Sequence, residues 1–219
     1  MACQCYNSCF SELNDEEKKL LFGSSNQIRY KPGETIIKQG NKIAHVLHLE
    51  EGYCKLLLEA GKNITVHLLK SHDHCGLINL YDGNTVNYSV TALTEVNVCL
   101  LDKDVFIEVL ENNPAFMKRV LQITNQFTSL MLQKVRFIGQ KQLHGRIAST
   151  ILYLADEVYQ KDTFRMMLSR SDFAEFTATS KESLIRILSE LRNDKIIEID
   201  NRQVGILQRD LLERISRIG

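Results

Sequence analysis

The chain has 219 residues, 44% of them apolar, and its 27 Lys plus Arg are balanced by 27 Asp plus Glu. That length and composition allow two domains with real cores, and no run approaches the roughly 18 consecutive apolar residues of a membrane span. Zero net charge excludes a broad basic field as the basis of any nucleic-acid binding.

The N-terminus lacks the basic start and apolar stretch of a secretory signal, so a cytoplasmic location is expected. Six cysteines in that setting read as thiols or metal ligands rather than disulfides. Three of them, Cys3, Cys5 and Cys9, crowd the first residues. Residues 26–101 then read as short strands. Ile28-Arg29-Tyr30 runs into the turn Lys31-Pro32-Gly33-Glu34, and Thr35-Ile36-Ile37 stops at Gly40. Val46-Leu47-His48-Leu49 precedes Glu51-Gly52, residues 53–58 reach the turn Ala60-Gly61-Lys62-Asn63, and residues 64–69 and 90–101 complete the series. Short strands at regular intervals, with Gly-bearing turns, build a small β-roll or barrel.

Asn113-Pro114 opens a helix with no further Gly or Pro before Gly139. Phe116, Val120, Ile123, Phe127, Leu130 and Phe137 recur at alternating spacings of four and three, with Lys134 filling the gap. That period of 3.5 reads as a coiled-coil seam. A second stripe of Met117, Leu121, Thr124, Met131, Val135 and Ile138 is also largely apolar. Two such stripes need two partners: the β-roll, and the same helix of a second subunit. A single buried helix in a monomer is the competing reading.

Residues 145–159 form another amphipathic helix. Residues 169–193 then read as two short helices broken by a tight turn. Ser169 caps the first with Asp172 reaching back; Thr179 caps the second with Glu182 in the same relation. Phe173, Ala174, Leu184, Ile187, Leu188 and Leu191 supply the apolar face. Lys181, Glu182, Ser183 and Arg186 line a polar edge. This is the layout of a helix-turn-helix whose second helix can enter a DNA major groove. Residues 196–199 and 204–207 flank Asp200-Asn201-Arg202-Gln203 as a hairpin wing, and a short helix follows from Asp210 to Ile218. From residue 138 onward, 13 Lys plus Arg face 12 Asp plus Glu, 13 − 12 = +1. DNA binding therefore depends on the local placement of Arg165, Arg170, Lys181, Arg186 and Arg202.

A β-roll, a long helix and a winged helix-turn-helix in that order resemble the CRP/FNR family of bacterial transcription regulators. The markers are Lys31-Pro32-Gly33-Glu34 followed by Gly40, the Glu51-Gly52 turn, Gly145-Arg146-Ile147-Ala148, and Ser180-Lys181-Glu182-Ser183-Leu184-Ile185-Arg186. The resemblance spans almost the whole chain. It implies that Glu182 and Arg186 read base edges. The chemistry agrees: arginine can donate two hydrogen bonds to guanine, a carboxylate can accept from cytosine, and residues four apart share a helix face. An intrahelical ion pair on a solvated surface is the alternative. Ser180 and Lys181 join the reading head, while Arg170 and Ser171 are expected on phosphates. Ile185 departs from the small or polar residue that relatives often carry.

The resemblance also implies an effector site in the β-roll, around Gly76, Leu77, Asn87 and Met131. Cyclic AMP is the best-known family ligand, and the residues argue against it here. Leu77 replaces the family's ribose-binding glutamate, residues 75–88 contain no Lys or Arg to neutralise a phosphate, and Met131-Leu132 stand where the family places adenine-facing hydroxyls. Oxygen-sensing FNR proteins hold an iron–sulfur cluster on N-terminal cysteines plus one in the last strand of the roll. Here Cys3, Cys5, Cys9 and Cys99 match that set, although the Cys-x-Cys spacing is tighter, and oxidisable thiols without metal are the alternative. His72, His74 and Cys75 form a second cluster that could ligate haem. An unidentified small molecule is the remaining option.

The expected fold is α+β: an N-terminal β-roll (double-stranded β-helix, jelly-roll-like) sensor over residues 1–113, a dimerisation helix over 114–138, and a winged helix-turn-helix over 139–219. The partners that the resemblance implies are double-stranded DNA, a second copy of the chain and RNA polymerase. A regulatory module acting on a protein partner is the alternative function. No nucleophile–base pair or Gly-rich phosphate loop points to an enzyme.

Overall fold

The computed structural model describes residues 9–59, 61–81 and 85–219, so Cys3 and Cys5 lie outside the described residues. The chain divides into two units, residues 1–61 with 66–131, and residues 62–65 with 132–219. The division falls within the long helix.

In the first unit a turn at Cys9–Glu12 leads into helix α1, Asp15–Gly23. Asn14 caps α1 through a reciprocal pair with Glu17, satisfying two amide donors at the helix start. Eight strands follow: β1 Asn26–Tyr30, β2 Thr35–Ile37, β3 His45–Glu51, β4 Cys54–Leu58, β5 Ile64–Leu69, β6 His74–Cys75, β7 Ser89–Ala92 and β8 Val96–Asp102. They form two four-stranded sheets, ordered β1-β8-β3-β6 and β2-β7-β4-β5. The expected β-roll is present. The stretch 90–101 is two strands rather than one, and β6 is too short to carry a sequence period. Two glycine signals have a direct cause. The Lys31-Pro32-Gly33-Glu34 turn closes by Glu34 donating its N–H to the Lys31 carbonyl at 3.1 Å, with Gly33 at φ 90°. At Gly52, φ is 92° and a Cβ would stand 2.2 Å from the Glu95 carbonyl oxygen, so backbone approach itself excludes a side chain.

Helix α2, Lys103–Asn112, is capped by Asp102, and helix α3, Pro114–Gln140, begins with its proline at the position that needs no N–H. The Asn113 side chain accepts from the Phe116 amide at 2.9 Å and so caps α3. The main core of this unit gathers Phe10, Leu21, Val46, Cys99, Leu101, Phe106, Val109 and Phe116. Each fully buried phenylalanine stabilises by about 1.5–3 kcal/mol relative to exposure. Phe116 and Val120 are therefore core residues of this chain, and Ile123 packs against that core. The first stripe of α3 thus begins inside this chain. On the second stripe Met117, Leu121 and Val135 are exposed, as is the neighbouring Leu132.

The second unit contains α4 Leu143–Tyr153, extended by a π-helical turn at Leu154–Tyr159, then β9 Thr163–Arg165, α5 Arg170–Phe176, α6 Lys181–Asn193, β10 Ile197–Asp200, β11 Gln203–Ile206 and α7 Arg209–Ile218. A three-stranded sheet ordered β10-β11-β9 carries the wing; β9 is a strand that sequence periodicity missed. Gly145 packs where α4 meets α7: a Cβ there would lie 2.3 Å from the Gly219 carbonyl oxygen. Leu184, Ile187, Leu188 and Leu191 of α6 are buried, as their spacing implies.

Candidate nucleic-acid interface and sensor cavity

The N-terminus of α5 forms as expected, with Ser169 accepting from the Asp172 amide and Asp172 reaching back. The cap of α6 is one residue later than expected. Ser180 accepts from the Ser183 amide at 3.1 Å, while Thr179 is buried in the turn. The reason lies in the turn: Ala178 adopts φ 50°, and the backbone turns outward only after Thr179. Lys181, Glu182, Ile185 and Arg186 are all exposed along the outer face of α6. Glu182 has its carboxyl held below the usual range by its own backbone N–H and by the Ser180 hydroxyl. It does not pair with Arg186. Instead Arg186 Nη1 donates to Glu190 Oε1 at 2.6 Å, and the other carboxylate oxygen of Glu190 lies 2.9 Å from His144 Nε2.

Arg170 stands beside Ile185, Ser189 and Arg192 along an open groove of about 200 Å³. Burial, and then the nearby Arg202 charge, depress its pKa. Two guanidiniums in one neighbourhood favour an anion between them, which suits a phosphate contact. Ser171 is exposed next to it.

Behind this surface two basic side chains, the buried Lys134 and the partly buried Arg146, hold the turn between α5 and α6. Lys134 of α3 donates to the Phe176 carbonyl at 2.5 Å, with Nζ 3.8 Å from the Phe176 ring centroid. Arg146 of the Gly145-Arg146-Ile147-Ala148 segment donates from Nη1 to the Ala178 carbonyl at 3.1 Å. Carbonyls at the end of a helix have no intrahelical donor, and these side chains supply one. Burial, followed by the Arg146 charge, pushes the Lys134 ammonium down to about 7. Lys134 looked like a gap in an apolar seam; it is a capping group whose partner is remote in sequence.

The first unit encloses a cavity of about 270 Å³ against α3. Gly76 and Leu77 line it, whereas Asn87 and Met131 are not among its lining residues. Leu56, Leu69, Ile123 and Phe127 give it apolar walls, and Arg119 and His72 add polar groups. Arg119 lies outside residues 75–88, so reasoning from that segment alone did not find it. His72 sits at φ 75°, a strained conformation for a residue with a Cβ.

Beside the cavity the register places His48 opposite Cys99 and also opposite His74. His74 Nε2 is 3.4 Å from Cys9 Sγ and 3.0 Å from His48 Nδ1. Burial pushes the two imidazoles down to about 4 for His48 and about 3 for His74, so both are neutral at pH 7. His48 Nε2 is buried without a hydrogen-bond partner among the described residues. Cys9 and His74 also line the cavity. Among the described residues, no set of three or more His, Cys, Asp or Glu side chains is arranged to hold a metal ion. Cys9 and Cys99 share one core; the other two cysteines of the expected four-thiolate set, Cys3 and Cys5, lie outside the described residues. Burial raises the Cys75 thiol well above the ordinary thiol value.

A cyclic nucleotide-binding domain model matches residues 27–113 and a Crp-like helix-turn-helix domain model matches residues 145–215. The chain is 26% identical to the transcriptional activator protein FnrL of Cereibacter sphaeroides over 80% of this chain and 73% of that protein. It is 24% identical to the probable transcriptional regulator flp of Lacticaseibacillus casei, over 97% of each. In fold it is similar to a crp/fnr-family regulator from Eubacterium rectale, with a TM-score of 0.81, 16% identity, and coverage of 97% of this chain and 99% of that one. No helix among the described residues is long and apolar enough to cross a membrane. With a sensor-type roll and a reading helix joined through one long helix, and relatives that act on transcription rather than as enzymes, the chain belongs to the CRP/FNR family of transcription regulators.

Proposed function

We propose that this regulator binds an inverted repeat in duplex DNA as a homodimer, with Glu182 and Arg186 on base edges and Arg170, Ser171, Ser180 and Lys181 on phosphates or at the rim of the reading face. The observation that carries this is the split of α6: Leu184, Ile187, Leu188 and Leu191 are buried while Lys181, Glu182, Ile185 and Arg186 face outward. The exposed second stripe of α3, including Leu121 and Val135, supplies a surface for the same helix of a second copy. Such a pair would set two reading helices about 34 Å apart, matching successive major grooves.

The signal enters at the first unit and is not cyclic AMP. The cavity combines apolar walls with polar groups that include Arg119, His72, His67, Asp73 and Gln126, which suits a compact organic molecule carrying several polar groups. Its occupancy would alter the packing of Ile123 and Phe127 and so the pairing of the α3 helices. RNA polymerase is the partner through which a bound dimer would act, in the cytoplasm.

The test is selection of binding sites from random duplex DNA with the full chain. An inverted repeat is expected, with affinity falling steeply as salt rises. Arg186→Ala should cost about 1–3 kcal/mol at one base pair of each half-site. A loss spread evenly over every position, or no enriched site, would defeat this reading.

A further inference from the structure

Glu190 sits in the last turn of α6, where the helix dipole disfavours a carboxylate. It also follows Arg186 by four residues, the less favourable order for an intrahelical ion pair. Helix energetics therefore give no reason for an acid here. The geometry does: its two oxygens are divided, one accepting from Arg186 Nη1 at 2.6 Å and the other 2.9 Å from His144 Nε2 on α4. The three side chains are roughly half exposed, so the chain lies on the surface. Arg186 alone would sample many rotamers at that exposure.

We infer that Glu190, itself held by His144, is a positioning residue that fixes the Arg186 guanidinium for base recognition. A guanidinium has five N–H donors. A bidentate contact to guanine uses two, and Glu190 takes one from the opposite side, so the acid can orient the arginine without competing for the base. His144 is the anchor. It stands on a different helix, so the carboxylate is referenced to the body of the domain rather than to α6 alone. The inference rests on the reading that Arg186 contacts a base.

The experiment uses the full-length protein, the site recovered by selection, and a set of single-base-pair variants of that site. Discrimination at each position is measured by competition binding for wild type, Arg186→Ala, Glu190→Gln, His144→Ala and His144→Gln. Arg186→Ala identifies the position that Arg186 reads. Glu190→Gln should lower discrimination at that position, and only there, by about three- to five-fold. Affinity for unrelated DNA should hold or rise, because a negative charge has been removed near phosphates. His144→Ala should move the same position in the same direction by less, and His144→Gln, whose amide can still donate, should restore it. A merely structural role would shift all positions together, which overturns the proposal. So would tighter binding with discrimination intact, which would make Glu190 a latch that sequesters Arg186. If Arg186→Ala itself has no position-specific effect, the base-contact reading fails, and this inference with it; failure of Glu190→Gln alone leaves that reading standing.

Discussion

Lys134→Met tests how the turn of the helix-turn-helix is held. Lys134 is only 9% exposed and has its charge against a carbonyl and a ring face. Desolvation outweighs these contacts, with the Arg146 charge adding to it, and the ammonium falls from 10.5 to about 7. That difference corresponds to about 5 kcal/mol held against the protonated form. The sign follows from proton counting. Between pH 7 and 10.5 the unfolded chain binds the proton and the folded chain does not, so stability rises with pH through that window, by about 1.4 kcal/mol per pH unit. Methionine keeps the apolar stem and removes the titration, leaving the Phe176 carbonyl without this donor at a cost of about 1–3 kcal/mol. Urea unfolding under reducing conditions, followed by circular dichroism, should show the variant comparable to wild type or more stable at pH 6.5. By pH 9 the difference should have moved in the wild type's favour by about 3 kcal/mol. A wild-type-minus-variant difference that does not change with pH would refute the argument. So would a Lys134 side-chain NMR titration with its midpoint near 10.5.

Three other perturbations bear on the rest of the molecule. Gly52→Ala should destabilise the first unit by more than about 2 kcal/mol in thermal or urea unfolding, because the new Cβ meets the Glu95 carbonyl at 2.2 Å from a left-handed backbone; a change below 0.5 kcal/mol would show that the close approach relaxes freely. The buried His48 and His74, with pKa values pushed down to about 4 and about 3, make the first unit acid-labile. The unfolded imidazoles bind protons from about pH 6.5 downward while the folded ones do not, so stability present above pH 6.5 is lost as pH falls toward 3, and denaturation midpoints measured from pH 7 to 4 should drop. Leu121→Glu together with Val135→Glu places charge on the exposed stripe of α3, which should convert a dimer to monomer in sedimentation and weaken operator binding; an unchanged sedimentation coefficient would locate any dimer contact elsewhere.

The elements that the sequence determined by itself are those whose causes are local. The capping pair Ser169 and Asp172, the apolar spacing of Leu184, Ile187, Leu188 and Leu191, the Gly-bearing turns and the length of α3 are all set by residues within a turn or two of one another. The β-roll, the long helix and the winged helix-turn-helix were legible for that reason. The start of α6 was misplaced by one residue because Thr179 and Ser180 are equally good caps in sequence, and only burial of Thr179 in the turn decides between them. Tertiary structure alone decided the remote partners of charged groups: Glu190, already beside Arg186 on α6, with His144 of α4, Lys134 with the Phe176 carbonyl, and Arg119 with a cavity lined partly by distant strands. Periodicity tells which face of an element is buried. It carries no information on what the far end of a long side chain reaches, because that depends on elements brought alongside only once the chain has folded.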